Sequence, residues 1–219
     1  MVSQQTLEKV RQFSNVASGP EGPRAMTVQE QLLALQWSQL KHDELYHKEI
    51  TLLPVADRMK HFALHMAKYL GYFAEAMDSD SDRFERTLVD AFIIALAAAN
   101  TLSLDLGKVL QVETAALNFQ AFAAELAMRC LPRGEDKTWF LRQFARYCGR
   151  LAKACESLDH VENYPFREAM RDNTIDLFKL VLIEASIRNM DLMEESRSRL
   201  QGIEAKSIFH RQYTRSIDS

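Results

Sequence analysis

Asp90 heads the apolar run of "LVDAFIIALAAAN", and Asp176 heads that of "TIDLFKLVLIEAS". An unpaired charge is costly to bury, so an acid in such a place predicts a cation beside it, either a metal ion or a basic side chain. Glu168, Asp172 and Asp176 recur at i, i+4 and i+8, a column that could bind a cation weakly or pair with Arg142, Arg146, Arg150 and Lys153 of the preceding helix. Asp43, Glu44 and Glu49 could contribute to a site from the first long helix, although charges near a helix end are usually solvated. His42, His47, His61 and His65 form two pairs that could face one another around Zn²⁺. No H-E-x-x-H frame accompanies them, and such histidines are more often hydrogen-bonded at a helix interface or exposed. There is no glycine-rich phosphate loop and no G-x-S-x-G, and Cys148 beside Tyr147 has no base placed by sequence, so nucleophilic catalysis is without support.

The elements that must position these groups are helical. The chain has 219 residues, 47% hydrophobic and 26% charged, with only 7 glycines and 5 prolines, a composition that predicts an all-α protein with a proper core. Thr27 can cap an amphipathic run to about Glu49, and Pro54 can open a helix to about Met77. The acidic "DSDSDR" (78–83) reads as a turn, followed by a helix to about Leu102. Asp105 can cap the next helix, running toward Cys130, and "LPRGEDK" (131–137) breaks the pattern. Further helices are expected to Leu158, over 166–189 and over 192–210, the lengths and short turns of an antiparallel bundle. Residues 1–25 read as an N-terminal arm and linker, with a short amphipathic helix over 3–16 and "ASGPEGPRA" after it.

Net charge −3, without a Lys/Arg cluster, disfavours nucleic acid as a partner. Three cysteines without framework spacing read as reduced, mostly buried thiols. No segment has the apolar length of a membrane span and none resembles a signal core, so a cytoplasmic protein is expected.

An internal repeat organises the reading. Residues 88–106 align without gaps on 174–192, pairing Asp90 with Asp176, Phe92 with Phe178, Leu96 with Leu182, Ala99 with Ala185, Asp105 with Asp191 and Leu106 with Leu192. The preceding segments, 61–71 and 143–153, match at Phe62/Phe144 and Ala63/Ala145, with Lys68 opposite Arg150. The offset changes between the two helices, so the intervening loop is four residues longer in the second copy, where a length change belongs. This predicts a tandem duplication, 26–130 and 131–219, with two helical hairpins about a pseudo-two-fold axis.

"FALHMAKYLGYFAEAM" followed by "RTLVDAFIIALAAANTLSLDL" resembles the all-α nucleoside triphosphate pyrophosphohydrolases, the group of MazG, the dCTP pyrophosphatases and the dimeric dUTPases. The resemblance covers about residues 27–125 and, more weakly, 136–210. It implies a bundle of two MazG-like repeats, Mg²⁺ held by paired carboxylates on facing helices, and packed copies, hence a homo-oligomer or another protein partner. The family's acids are mostly replaced here. Tyr69 and Tyr72 stand where the first glutamate pair belongs, with Gly71 and Glu75 retained, and the second copy has Leu151 and Ala154. Ahead of Asp90 the glutamates are Arg86 and Thr87; ahead of Asp176 they are Asp172 and Asn173. One acid per copy is too little for a bridged metal pair.

The expectation is therefore a catalytically degenerate MazG-like protein that binds, senses or scaffolds. Its former pocket would be lined by His65, Lys68, Tyr69 and Tyr72, able to stack a base and hold a phosphate of a nucleotide without metal. Lys68 is expected to pair with Asp90, and Arg150 with Asp176, each cation replacing the lost Mg²⁺; Arg86, one turn before Asp90, is an alternative partner, and a solvent-exposed Asp90 a further one. Two other functions stay open. One is an active Mg²⁺-dependent pyrophosphohydrolase with relocated acids, with Asp90 and Asp176 catalytic and Glu75, Asp90, Asp172 and Asp176, or the 43–49 group, as ligands. The other is a structural component of a larger assembly, with the 1–25 arm docked on a neighbour.

Overall fold

The computed structural model describes residues 25–111, 118–130 and 138–217. Among them every regular element is a helix: α1 (Val28–Tyr46), α2 (Lys48–Thr51), α3 (Val55–Ala76), α4 (Ser81–Thr101), α5 (Leu106–Val109), α6 (Phe119–Cys130), α7 (Trp139–Asp159), α8 (Phe166–Ile187), α9 (Leu192–Glu204) and α10 (His210–Ile217). None is long and apolar enough to cross a membrane. The expected arm helix over 3–16 and the break at 131–137 lie outside the described residues.

Two hairpins, α3–α4 and α7–α8, form the centre, with α3 against α7 and α4 against α8. Helix α1 lies on α4, α6 lies on α8, and α9 crosses back to α4 and α1. Being covered on several sides explains why α4 and α8 are apolar nearly all round, with Leu88, Phe92, Leu96 and Ala99 buried on one and Leu177, Phe178, Val181 and Leu182 on the other. Phe92 and Phe178 are fully buried and stack on each other at 5.4 Å between ring centroids. Near the bend of the first hairpin, Phe73 packs on Phe84 and, at the start of α7, on Phe140 and Phe144, at 4.7, 5.0 and 5.1 Å. The connection of the second hairpin, 160–165, is two residues longer than that of the first, 77–80, where the sequence offset predicts four, because α7 and α8 each run one residue further into it.

Both long central helices end alike. Ser103 and Asn189 take left-handed backbone, φ 54° and 56°. The next amide reaches back to a carbonyl of the last turn, Leu104 to Ala99 and Met190 to Ala185, each at 2.9 Å. This is a Schellman-type stop. Asp105 then accepts from the Lys108 amide, and Asp191 from the amides of Met193 and Glu194. Each carboxylate caps the helix that starts there and buries the next leucine, Leu106 or Leu192.

The helix expected from Asp105 to Cys130 is corrected by two breaks. Gln111 turns left-handed at φ 49° and ends α5, and the Asn118 side chain accepts from the Ala121 amide at 2.9 Å, starting α6 afresh. The first long helix is also interrupted, at His47, whose φ and ψ of −129° and 44° set off α2. Its beginning matches the expected Thr27 cap, closed into a capping box by Glu30. The last long helix stops at Glu204, and α10 comes separately after it.

Candidate functional site

The buried face of α1 starts apolar, with Val28 and Leu32, and then becomes polar, with Gln36, Gln39 and His42. Gln36 is fully engaged: its Nε2 donates to Asn100 Oδ1 and the Leu104 carbonyl at 3.0 and 2.6 Å, and its Oε1 accepts from the Leu106 amide at 3.0 Å. It thereby clamps the turn after α4. One and two turns further, Gln39 and His42 line a cavity of about 390 Å³ bounded by α1, α2, α3, α4 and α9. The break at His47 places that imidazole, Glu49 and Ile50 in the same wall.

Helix α3 contributes Arg58, His61, His65, Lys68 and Tyr69, one face of the helix over about three turns. His61 and His65 rings lie 4.5 Å apart. Lys68 Nζ donates to His65 Nδ1 at 3.3 Å and sits 4.8 Å from the Tyr69 ring centroid. The Tyr69 hydroxyl is 3.2 Å from the same Nδ1. Burial, reinforced by the Lys68 charge, pushes the His65 imidazole down to about 4, so it is neutral at pH 7. His61 is lowered for the same first reason, burial. Burial and the Asp90 charge raise the Tyr69 phenol, which keeps its proton.

Asp90, from α4, is held by Arg199 of α9 through one edge of the guanidinium, Nε donating to Oδ1 at 2.7 Å and Nη2 to Oδ2 at 3.1 Å. These bonds raise the Arg199 pKa further. A second tie runs from α9 to α1, His42 Nδ1 donating to Glu204 Oε1 at 2.9 Å. Leu200 and Ile203, between the two ties, close the apolar part of the cavity with Ile93, Ile94 and Ala97. Three polar atoms in this lining are buried without a partner: Gln39 Oε1, His42 Nε2 and Arg58 Nε. Burial raises the Asp43 carboxyl, against the Gln39 hydrogen bond that lowers it.

The fold thus brings together His65, Lys68, Tyr69 and Asp90, with all four histidines of the two expected pairs. The expected Lys68–Asp90 pair is corrected: the cation on Asp90 is Arg199, whose planar fork matches both carboxylate oxygens, whereas Lys68 turns to His65 and Tyr69. Arg86 lines a different cleft, with Asp82, Glu85 and Glu195. Tyr72 and Glu75 leave the expected pocket, since Arg83 stacks on the Tyr72 ring at 4.9 Å and pairs with Glu75. The expected Arg150–Asp176 pair is corrected too: the ion pair of Asp176 is with Lys179, one turn along α8, at 4.0 Å. Burial raises the Asp176 carboxyl, Asp172 adds to this, and Arg150 and Arg146 oppose it from a distance. Nor does the expected salt-bridge ladder form from Lys153, which bonds Glu156 and Glu162. Cys148 and Cys155 are buried and Cys130 is exposed. Burial pushes the Cys148 thiol up to about 12.

The donor set does not fit a bridged Mg²⁺ pair. Asp90 is already neutralised by Arg199, and among the described residues no group of three or more His, Cys, Asp or Glu is placed to hold a metal ion. Sequence reasoning missed Gln39, Arg58, Arg199 and Glu204. Gln39 had a signal, a polar residue continuing the buried stripe of α1, whereas Arg199 lies 109 residues from Asp90 and had none. Compared with known proteins, the chain matches no family model, no curated protein and no solved structure.

Proposed function

We propose that the protein is a catalytically degenerate relative of the MazG-like pyrophosphohydrolases, two helical repeats about a pseudo-two-fold axis, that works by binding in the α1–α3–α4–α9 cavity. The repeat reading is supported by equivalent residues in equivalent roles: left-handed Ser103 and Asn189, capping Asp105 and Asp191, and Phe92 stacked on Phe178 across the centre. The observation that carries the functional reading is the bidentate Arg199 on Asp90. A guanidinium occupies both oxygens that a metal would need, so the carboxylate serves the fold instead of a metal ion. What remains open is a partly apolar cavity with a few convergent polar groups, the form of a small-molecule site.

The test is pyrophosphate release from the common nucleoside triphosphates with Mg²⁺ or Mn²⁺, comparing wild type with Asp90→Ala and Asp176→Ala. No turnover, together with a lower melting temperature for Asp90→Ala, is expected. Turnover abolished by either substitution would overturn the degenerate reading in favour of an active hydrolase with relocated acids.

A further inference from the structure

We propose that the cavity takes an organic oxyanion, a phosphomonoester or a carboxylate whose body is apolar and carries a hydrogen-bond donor, and that Lys68, His65 and Tyr69 receive the oxyanion without a metal ion. The proposal deepens the binding reading and rests on it for the choice of cavity.

The first argument is charge. Of the charged groups lining the cavity, Arg199 pairs with Asp90, and the other carboxylates, Asp43 and Glu49, stand at the α1–α2 end, where Asp43 accepts from Gln39 and Glu49 lies 3.6 Å from His47. At the α3 end, among the described residues, neither Lys68 nor Arg58 makes an ion pair; Lys68 has only an imidazole nitrogen and an aromatic face. A cation beside a semi-enclosed apolar wall attracts an anion.

The second argument counts protons. Lys68 and Tyr69 both approach His65 Nδ1, at 3.3 and 3.2 Å. That nitrogen has one lone pair and satisfies one donor. With Lys68 donating to Nδ1, the neutral ring carries its proton on Nε2. The ammonium keeps two further N–H groups, and the phenol competes with it for that one lone pair. Within little more than one turn of α3, Lys68, Tyr69 and His65 Nε2 thus present more donors than the single acceptor among them, and an oxyanion in the cavity takes the rest in place of water through charge-assisted bonds.

The third argument is the opposite imbalance on α1. Gln39 and His42 are 2% and 4% exposed and line the same cavity, yet Gln39 Oε1 and His42 Nε2 have no partner. Gln39 Oε1 can only accept, and with His42 Nδ1 donating to Glu204, Nε2 is the ring atom left facing the cavity. A buried acceptor without a donor is costly unless something supplies the proton, so the ligand's far end is a donor such as an amine or hydroxyl. Between the two ends Ile93, Ile94, Leu200 and Ile203 offer hydrocarbon.

The experiment is titration calorimetry on the full chain with EDTA present, using two matched pairs of probes: adenosine monophosphate against adenosine, and a hydroxylated medium-chain fatty acid against its methyl ester. At least one anion is expected to saturate the protein below about 1 mM, with its neutral partner about tenfold weaker or worse. Lys68→Met is expected to weaken that anion by about tenfold and Lys68→Arg to retain it. Lys68 is exposed, so neither change threatens the fold, and a melting curve checks this. The pair that responds separates phosphate from carboxylate. Equal binding of charged and neutral probes, indifference to Lys68→Met, or no saturation by either anion would overturn the proposal while leaving the absence of turnover, and with it the degenerate reading, intact. Binding that appears only on adding Mg²⁺ overturns both, and metal-free binding accompanied by turnover overturns the degenerate reading alone.

Discussion

Asp90 and Asp176 hold the same register in two hairpins and live in different chemistry. Asp90 faces a cavity and is gripped at both oxygens by Arg199, whereas Asp176 has Lys179 at 4.0 Å along its own helix and a carboxyl raised by burial. The difference comes from the helix that leaves each hairpin. After Asp191 the chain continues as α9, Leu192–Glu204, which crosses to the first hairpin, while after Asp105 α5 stops at Val109. One helix, used asymmetrically, gives the first hairpin a cavity wall, a counter-ion for Asp90 and a partner for His42. Two similarly built hairpins thus carry unequal surfaces, and the framework and the surface can be probed separately.

The strongest test of the framework is Phe92→Ala against Phe178→Ala. Both rings are fully buried against each other, so each truncation is expected to lower unfolding free energy by about 3–5 kcal/mol in urea titrations. A loss at one position several times that at the other would break the equivalence. Next in size is the double-mutant cycle of Asp90→Ala with Arg199→Ala. A coupling of about 1.5 kcal/mol is expected, between the values for exposed and buried pairs, against nearly none for Asp176 with Lys179. Similar couplings in both hairpins would remove the contrast. Asp105→Ala and Asp191→Ala should each cost about 1 kcal/mol through loss of an N-cap.

The smallest expected effect is that of Asp176 near neutral pH. A carboxyl whose pKa rises on folding binds its proton more tightly in the folded chain, so Asp176 supports folding most at acid pH, and that support is lost as pH rises through its raised value. Asp176→Asn should therefore flatten that descent and raise stability near neutral pH by a few tenths of a kcal/mol, its partial exposure limiting the gain. His65 has the opposite sign. Its imidazole falls from 6.5 to about 4 on folding, so its contribution is full above pH 6.5 and is lost as pH drops toward 4. Acid titrations of wild type, Asp176→Asn and His65→Gln should separate the two slopes.

Helix existence was legible because periodicity, Thr27 and Asp105 are local signals, and the structure uses both residues as caps; Asp191, aligned with Asp105 in the repeat, caps α9 in the same way. The interruption between α5 and α6 was missed, although Asn118 is an ordinary N-cap residue, because the apolar run around it masks the stop. Within the site, His65, Lys68 and Tyr69 were legible as one helical face. Their use was not: sequence spacing puts Lys68 near Asp90 but says nothing of a competing guanidinium from a distant helix. Tyr72, one turn on, sits next to Arg83 instead, a contact set by the bend between α3 and α4.

The long reach of α9 also bears on synthesis. A ribosome adds about 5–20 residues per second, so the 109 residues between Asp90 and Arg199 take on the order of 5–20 s to emerge. Through that interval the first hairpin exists without its counter-ion or its fifth wall, and Ile93 and Ile94 face water. A nascent chain paused within this window would present that groove, later covered by α9, as an apolar surface.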